Sequence, residues 1–415
     1  MGSPVLAVDF GTSNSAAAVL MEGVARRLPI ENGADTVPTA VFFPQDRGPM
    51  LIGTAAARAM TEGVEGRYMR ALKSILGTTL FHEDRMIGGQ RRTLAQIVTA
   101  FLAHVKQRAE AETGQHFTRV LSGRPVHFHS ADPERDARAE DDLRACYHAA
   151  GFDDVRFLFE PEAAARAQTG QGAPGQTDLI VDIGGGTSDF SVFRETGSGL
   201  EILASHGIRL GGTDFDKAVS VAHAMPLLGL GGQLRRTLGD GLLPVPSALY
   251  HDLATWAKIP FLYTRDTERS VEDLVKHAVD PDKMGRLRDV ITEHLGHELA
   301  FAVEAGKIAA NTATPRARID MGVIEPGLSA PITPGTLNAA LAGYGEPLRE
   351  ALFQTLIDAQ VPPDRIGAVV LVGGSSLMAM VRNQAQAVCP SASLRRAQAL
   401  TAIIDGLAIA TSDLP

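Results

Sequence analysis

Cysteine is almost missing from this sequence. Cys146 and Cys389 stand alone and far apart, which excludes a disulfide-built secreted domain and points to two buried thiols in a reducing compartment. An excess of positive charge is missing too: 39 Lys and Arg face 48 Asp and Glu, a net charge of −9. With no basic cluster along the chain, neither nucleic acid nor an anionic membrane finds an electrostatic footprint. No apolar run is long enough to cross a bilayer, and the longest, Ile366 to Val381, is broken at Gly373-Gly374. The first apolar run meets Asp9 without a basic leader or cleavage pattern, so no signal peptide is expected and the cytoplasm is the default location. Two nucleotide-binding signatures are absent as well. The one Gly-Lys pair, Gly306-Lys307, continues into Ile308, which excludes a Walker A loop. No Gly-x-Gly-x-x-Gly opens a helix after the first strand-like run, which excludes a Rossmann dinucleotide fold.

What is present fits a globular chain: 45% hydrophobic and 21% charged residues over 415 positions, a length for two or three domains. Val5 to Phe10 is a compact apolar run ending at Gly11-Thr12-Ser13-Asn14, and Ser15 to Leu20 follows at once, a spacing that predicts a β-hairpin with a polar tip. Pro38 to Phe43 reads as a short strand and Thr54 to Leu76 as helix. Leu94, Ile97, Val98, Phe101, Leu102 and Val105 draw one helical face within Thr93 to Ala111. Val120 to Val126 is strand-like, and Ala137 to Ala150 reads as a helix stopped by Gly151. Glu162 to Gln168 begins a helix just after Pro161, where proline is tolerated. Thr169 to Thr177 reads as a linker. Beyond it, Asp178 to Ile183 again ends in glycines, Gly184-Gly185-Gly186-Thr187, and Asp189 opens another strand. The two halves therefore begin alike, Asp182 repeating Asp9, which predicts a duplicated α/β core with a cleft between its halves. Phe215 to Lys307 is helical by pattern. Ile366 to Val372 is a buried strand type that leads through Gly373-Gly374-Ser375-Ser376 into a helix from Leu377.

Phosphate binding asks for backbone N–H groups that can close around an oxyanion, and glycine permits that approach. Three such turns follow apolar strands in order: Gly11-Thr12-Ser13, Gly184 to Thr187, and Gly373-Gly374-Ser375. The last lies at a strand-to-helix junction, where a helix N-terminus meets an anion. Asp9 and Asp182 each end a buried strand beside a turn, and folding the repeat back on itself makes them face each other. Two carboxylates sharing a site repel unless a cation lies between them. With Glu160 they suit Mg2+ held largely through water, phosphates completing its shell. Nucleotide binding unites these features.

The segments Leu6 to Ser15, Phe159 to Ala165, Val181 to Asp189 and Leu371 to Ser376 resemble the ATPase domain of DnaK-type heat-shock chaperones. Leu210 to Asp216 is similar to another motif of that family near the nucleotide. Gly123-Arg124-Pro125-Val126, with Phe159-Glu160-Pro161, is closer still to the YegD-like branch. The resemblance implies an α/β, actin-like ATPase fold with a ribonuclease H-like duplicated core: two lobes, each in two subdomains, with a nucleotide cleft between. It implies lobe I over 1–170 (core 1–36 and 105–170, insert about 37–104) and lobe II over 177–415 (core 177–214 and about 300–415, helical insert about 215–299). ATP or ADP with Mg2+ is the implied ligand, with K+ as a further candidate ion. By the same resemblance Gly11, Thr12, Ser13 and Asn14, with Gly184, Gly185, Gly186 and Thr187, would hold phosphates, and Gly211 and Gly212 would lie near them. Asp9, Glu160 and Asp182 would order the water shell of the metal, with Asp182, helped by Thr187, orienting the attacking water. Gly373, Gly374 and Ser375 would pass under the nucleoside, Glu304 and Lys307 match adenosine-side positions, and Pro125 matches the proline that couples nucleotide state to lobe movement.

Departures from that pattern are equally specific. The family lysine is expected after Gly-x-Ala-Ala, here Gly53-Thr54-Ala55-Ala56-Ala57, so Ala57 stands at the cation position and Arg58 falls about 100° round the helix. Arg58, Arg70 or Lys73 is left to supply the charge, or hydrolysis is slow. Ile308 and Leu377 stand where two arginines sandwich adenine, which forfeits a cation–π attraction of roughly 0.5–2 kcal/mol each. The acidic-apolar linker and peptide-gripping β-sandwich of the family have no counterpart after Ala410, so direct peptide-chaperone action is not expected from this chain alone. Three functions stay open: a nucleotide-driven switch acting on a protein partner or client, with slow ATP hydrolysis; a small-molecule, sugar-type kinase on the same architecture; and an ATP sensor without turnover. His127 with His129, and His294 with His297 on one helix face, lack a third ligand and read as surface or packing residues. Cys146 near His148 reads as helix packing, and Leu227-Leu228 before a glycine run as a loop.

Overall fold

The computed structural model describes residues 4–31, 33–168, 175–196, 199–397 and 401–414. They form two compact units, one of residues 1–212 and 345–415, the other of residues 213–344. Most of the linker expected at Thr169 to Thr177 lies outside the described residues.

The larger unit is built twice on one plan. Its first sheet runs, edge to edge, Asp154–Phe159, Arg119–Arg124, Val5–Phe10, Asn14–Met21, Val24–Leu28. Its second runs Ser393–Arg396, Ile366–Val372, Thr177–Ile183, Ser188–Thr196, Gly199–Ile208. In each, three strands form an antiparallel meander and two further strands join parallel to the first. The parallel strands are reached through helices, Leu94–Thr113 and Pro133–Ala149 in one half, Pro334–Asp358 and Ala379–Val388 in the other. The strands Val5–Phe10 and Thr177–Ile183 are buried along most of their length because they lie inside their sheets and are covered on both faces. In register, Asp9 stands opposite Ala16 and Asp182 opposite Asp189.

Each half ends in a short helix, Glu160–Arg166 and Ala402–Ala410, and the two are exchanged. Ala402–Ala410 buries Ile404, Leu407 and Ala408 against Ala7, Ala16, Ala18 and Leu121 of the first sheet. Ala164 and Ala165 of the other helix pack with Ile180, Phe193, Val370 and Val372 of the second. Where the helices cross, a Cβ at Gly406 would overlap the Ala163 carbonyl, so the residue there must be glycine for the backbones to touch.

Local chemistry sets the helix starts. Thr93 Oγ1 accepts from Gln96 N at 3.2 Å while Gln96 Oε1 accepts from Thr93 N at 3.1 Å, a reciprocal cap that opens Leu94–Thr113. Asp132 caps Pro133–Ala149 by accepting from Arg135 N at 3.0 Å with Pro133 in the first turn, so this helix starts before the expected Ala137. The stretch Thr54 to Leu76 departs further from expectation. Its helix ends at Thr61, and Gly66–Arg70 is a strand that pairs Tyr68 with Phe42 before a 3-10 turn over Leu72–Ile75. Gly63, at φ +71°, breaks the helical path.

The smaller unit is mainly helical, as expected, through Arg265–His277, Pro281–Thr292 and Gly296–Asn311, with two hairpins the pattern did not show, Gln233–Arg235 with Leu242–Pro244 and Arg318–Asp320 with Ser329–Pro331. Leu228 closes a short 3-10 helix and is fully buried, so Leu227-Leu228 is not the loop expected. His294 precedes the helix at φ +59° and stacks on Tyr263, which separates it from His297, beside Trp256. No helix among the described residues is long and apolar enough to cross a membrane.

Candidate functional site

Two hairpin tips meet within the larger unit. Gly11 turns so tightly that a Cβ there would overlap the Asn14 carbonyl. A Cβ on Gly185 would stand 2.8 Å from Ser13 Oγ and 3.1 Å from Thr12 Cβ, and one on Gly186 would stand 3.2 Å from Thr12 Oγ1. The glycines thus let one repeat seat directly on the other. A third layer closes on them. Gly212 N donates to Gly184 O at 3.0 Å, a Cβ on Gly211 would be 2.6 Å from the Gly185 carbonyl carbon, and Ser375 Oγ occupies the space beside Gly212. Gly373 adopts φ +77°, where a Cβ would stand 2.7 Å from Asp182 Oδ1, and its carbonyl accepts from Ser376 Oγ at 2.7 Å. Gly11 to Ser13, Gly184 to Gly186, Gly211, Gly212 and Gly373 to Ser375 are therefore one assembly, as the order of the motifs implied.

Beneath the tips lies a dry cluster of carboxylates. Asp182 and Asp189 are 3% and 1% exposed and Glu160 is 7% exposed. Desolvation raises the Asp9 pKa to about 7, with the Glu160 charge adding to the rise and Lys73 opposing it. Desolvation, then Glu160, raises Asp189 to about 8 against hydrogen bonds from Thr187 and from Val126 N, the latter 2.7 Å from Asp189 Oδ1. Asp182 is held well above the carboxylate range by desolvation and then by its acidic neighbours Glu160, Asp189 and Asp9. Its Oδ1 is buried with no hydrogen-bond partner.

Among the described residues one cation enters this cluster, and it is Lys73. Its Nζ donates to Glu160 Oε1, with both side chains nearly dry. Desolvation lowers the lysine pKa, but Glu160 and Asp9 outweigh it and the net shift is upward. The position expected from Gly-x-Ala-Ala is not the one used. Ala57 stays on the helix Thr54–Thr61, Arg58 lines an open cavity with Glu31, His104 and Arg108, and Arg70 ends a strand opposite Ala40. The signal available in the sequence is a lone lysine inside the apolar run Ala71-Leu72-Lys73-Ser74-Ile75-Leu76, since a buried lysine needs a carboxylate partner. Asp189 is visible in the second glycine motif, but nothing in the motif alone marks it as a member of the cluster.

The remaining positions lie elsewhere. Glu304, Lys307 and Ile308 belong to the smaller unit, on Gly296–Asn311. There Lys307 Nζ donates to buried Asp216 at 2.6 Å, Trp256 Nε1 donates to the other Asp216 oxygen at 3.1 Å, and Ile308 is exposed. Leu377 ends the 3-10 turn after Gly373 in the larger unit. His127 bonds Asp136 and His129 bonds the Leu76 carbonyl, both packing roles.

The donor set fits a hard cation. Its acids offer oxygen only, four carboxyl groups share the cluster with a single ammonium, and Asp182 Oδ1 has no other partner. Among the described residues no three acidic, histidine or cysteine side chains gather closely enough to ligate one ion directly. A cation here would keep most of its water, which is the habit of Mg2+ rather than Ca2+.

Comparison with known proteins agrees with the motifs. A family model described as Hsp70 protein matches residues 5–226. The chain is similar to a protein named chaperone protein DnaK from Cenarchaeum symbiosum, 33% identical over 221 residues, 52% of this chain and 32% of that protein. The DnaK of Methanothermobacter thermautotrophicus is 33% identical over 223 residues, 52% and 35% of the two chains. That of Thermoplasma acidophilum is 34% identical over 224 residues, 52% and 34%. The matched stretch spans about a third of the length of these relatives.

Proposed function

The chain belongs to the Hsp70 family, and from that premise we propose that it is a Mg2+-dependent ATP-binding protein that hydrolyses ATP and uses the nucleotide state as a switch. Membership implies the actin-like ATPase fold, and the twice-used sheet plan supports it. One observation carries the turnover part of this reading: a buried ammonium, Lys73, stands among Glu160, Asp9 and Asp182 beneath the joined glycine tips. An ATP sensor without turnover is favoured only if Ala57 leaves the site without a cation, and Lys73 removes that argument.

The residues divide the work of phosphoryl transfer, which is mainly positioning and charge stabilisation. Backbone of Gly184 to Gly186 and the hydroxyls of Thr12 and Ser13 cradle phosphate oxygens at the meeting tips. Lys73 offsets charge on the transferring group while Glu160 fixes its direction. Asp182 Oδ1, buried and without a partner, accepts from the attacking water, and Asp189 holds Thr187 beside it. Asp9, Asp182 and Glu160 would hold Mg2+ through its water shell, and the ion would supply neutralisation of phosphate charge; K+ is a second candidate ion. Because relatives similar to half of this chain are named chaperones, a protein client or partner that reads the switch is part of the proposal. The Gly123 to Val126 and Phe159 to Pro161 segments support a YegD-like branch, and the cytoplasm is the proposed location.

The test is thermal unfolding with and without Mg2+ and ATP, run beside phosphate release for Asp182→Asn. Nucleotide should raise Tm in both proteins by mass action, and phosphate release should be lost in the variant alone. No Tm shift at millimolar nucleotide would overturn the binding proposal, and undiminished release in the variant would overturn the role of Asp182.

A further inference from the structure

Arg124 ends the strand Arg119–Arg124, directly before Pro125, with only 13% of its side chain exposed. Its three guanidinium nitrogens are all engaged. Nε donates to Pro125 O at 3.0 Å, Nη2 donates to Val126 O at 3.2 Å, and Nη1 donates to Glu140. The guanidinium carbon lies 5.3 Å from the ring centres of both Phe128 and Phe159.

These contacts put one peptide group under control from two sides. The peptide joining Pro125 to Val126 accepts at its C=O from Arg124 and donates through its N–H to Asp189 Oδ1 at 2.7 Å. A cation bonded to the carbonyl polarises the amide, and linked hydrogen bonds strengthen one another, so the N–H becomes a better donor to the carboxylate. Phe159, the other surface in contact with the guanidinium, is the residue before Glu160 and the N-cap of its helix. One side chain outside the carboxylate cluster therefore touches the immediate support of two of its members.

We propose that Arg124 is a positioning residue for the nucleotide site, holding Asp189 through the Pro125–Val126 peptide and Glu160 through Phe159. Its kinetic consequence rests on the hydrolysis reading above; its structural consequence does not. The segment has a separate anchor, since Asp136 accepts from Phe128 N at 2.6 Å and from His129 N at 3.1 Å. Loss of Arg124 therefore relaxes the peptide without unfolding the loop.

Two readouts on the full chain test this. In nucleotide-free protein the Val126 amide proton should resonate downfield, Arg124→Gln should move it upfield, Arg124→Lys should restore part of the shift, and Asp189→Asn should shrink the effect of Arg124→Gln. In single-turnover ATP hydrolysis Arg124→Gln should slow the step about tenfold, equivalent to about 1.4 kcal/mol, with nucleotide Kd within about twofold. In an Asp189→Asn background the same change should cost clearly less than tenfold, because the route through the Asp189 carboxylate is weakened and chiefly the one through Phe159 to Glu160 is left. A Val126 amide unmoved by Arg124→Gln overturns the proposal whatever the kinetics, and so do fully additive rate losses. An amide that moves as expected in a protein that never turns ATP over upholds the positioning geometry and sinks only the hydrolysis reading.

Discussion

Lys73→Met removes the ammonium of the cluster while keeping nearly its length and apolar stem. Lys73 and Glu160 are 6% and 9% exposed as side chains, so the pair is screened little by water. Breaking a buried ion pair by deleting one partner costs about 3–5 kcal/mol. A carboxyl left without its cation can escape that penalty by taking a proton, at about 1.4 kcal/mol for each pH unit above its unfolded value. The loss should therefore be about 1–2 kcal/mol near pH 5 and approach the full range near pH 8. The direction follows from linkage. Asp9 and Asp189, raised to about 7 and about 8, bind more protons in the folded state than in the unfolded one. Stability contributed by these groups thus falls as pH rises between about 4 and 8, and removing Lys73, whose charge lowers both, steepens the fall. Urea unfolding of wild type and variant near pH 5, 6.5 and 8 measures it, with the m-value checked for constancy. A loss below about 1 kcal/mol near pH 8, or one equal at all three values, would show that the lysine only fills space and would refute the electrostatic account.

Other outcomes follow from the same geometry. In wild-type protein Mg2+ should flatten the decline of Tm between about pH 5 and 8, because a cation beside Asp9 and Asp182 replaces the protons they hold; a slope indifferent to Mg2+ counts against that ion site. Gly406→Ala should cost at least the 1–3 kcal/mol usual for overpacking, since its Cβ meets the Ala163 carbonyl at the helix crossing; chemical denaturation reads it, and a change within about 0.5 kcal/mol would mean the helices can separate freely. Arg58→Ala should leave ATP turnover within about twofold, as its side chain lines a separate cavity; a tenfold loss would move the role of Lys73 to Arg58.

Much of this site is legible in the sequence because its parts are short and local. Glycine runs after apolar strands announce tight tips, and an aspartate at the end of such a strand stays near its tip in any register. The repeat from Asp9 to Asp182 is visible for the same reason, and the structure extends it to the whole sheet plan. Lys73 is harder to single out because its position depends on a tertiary turn. Ala71 takes φ +59° and starts a 3-10 turn over Leu72–Ile75, which breaks the helical rotation that relates Ala57 and Arg58 to the expected cation position. The strand Gly66–Arg70 is hidden by weak alternation, since Tyr68 and Met69 are both buried and only pairing with Phe42 and Val41 makes the segment extended. The exchange of terminal helices leaves no mark beyond alanine and glycine, which fit many kinds of close packing.

Duplication explains what the two halves share, and the differences between them explain the chemistry. Each half offers a strand-end aspartate and a glycine tip, and two such copies alone would place repelling charges face to face. The first half places an acid, Glu160, at the first position of its terminal helix; the second begins its helix with Ala402, and the acid of its first turn, Asp405, is bound by Arg27. The cation comes from neither repeated element but from the segment between the first meander and the helix Leu94–Thr113 that leads to its first parallel strand. A symmetric site could hold a cation between equal aspartates yet would give a phosphate no preferred side for attack. Lys73 and Glu160, both supplied through the first half, break that equality, and the unpartnered oxygen belongs to Asp182 of the second half.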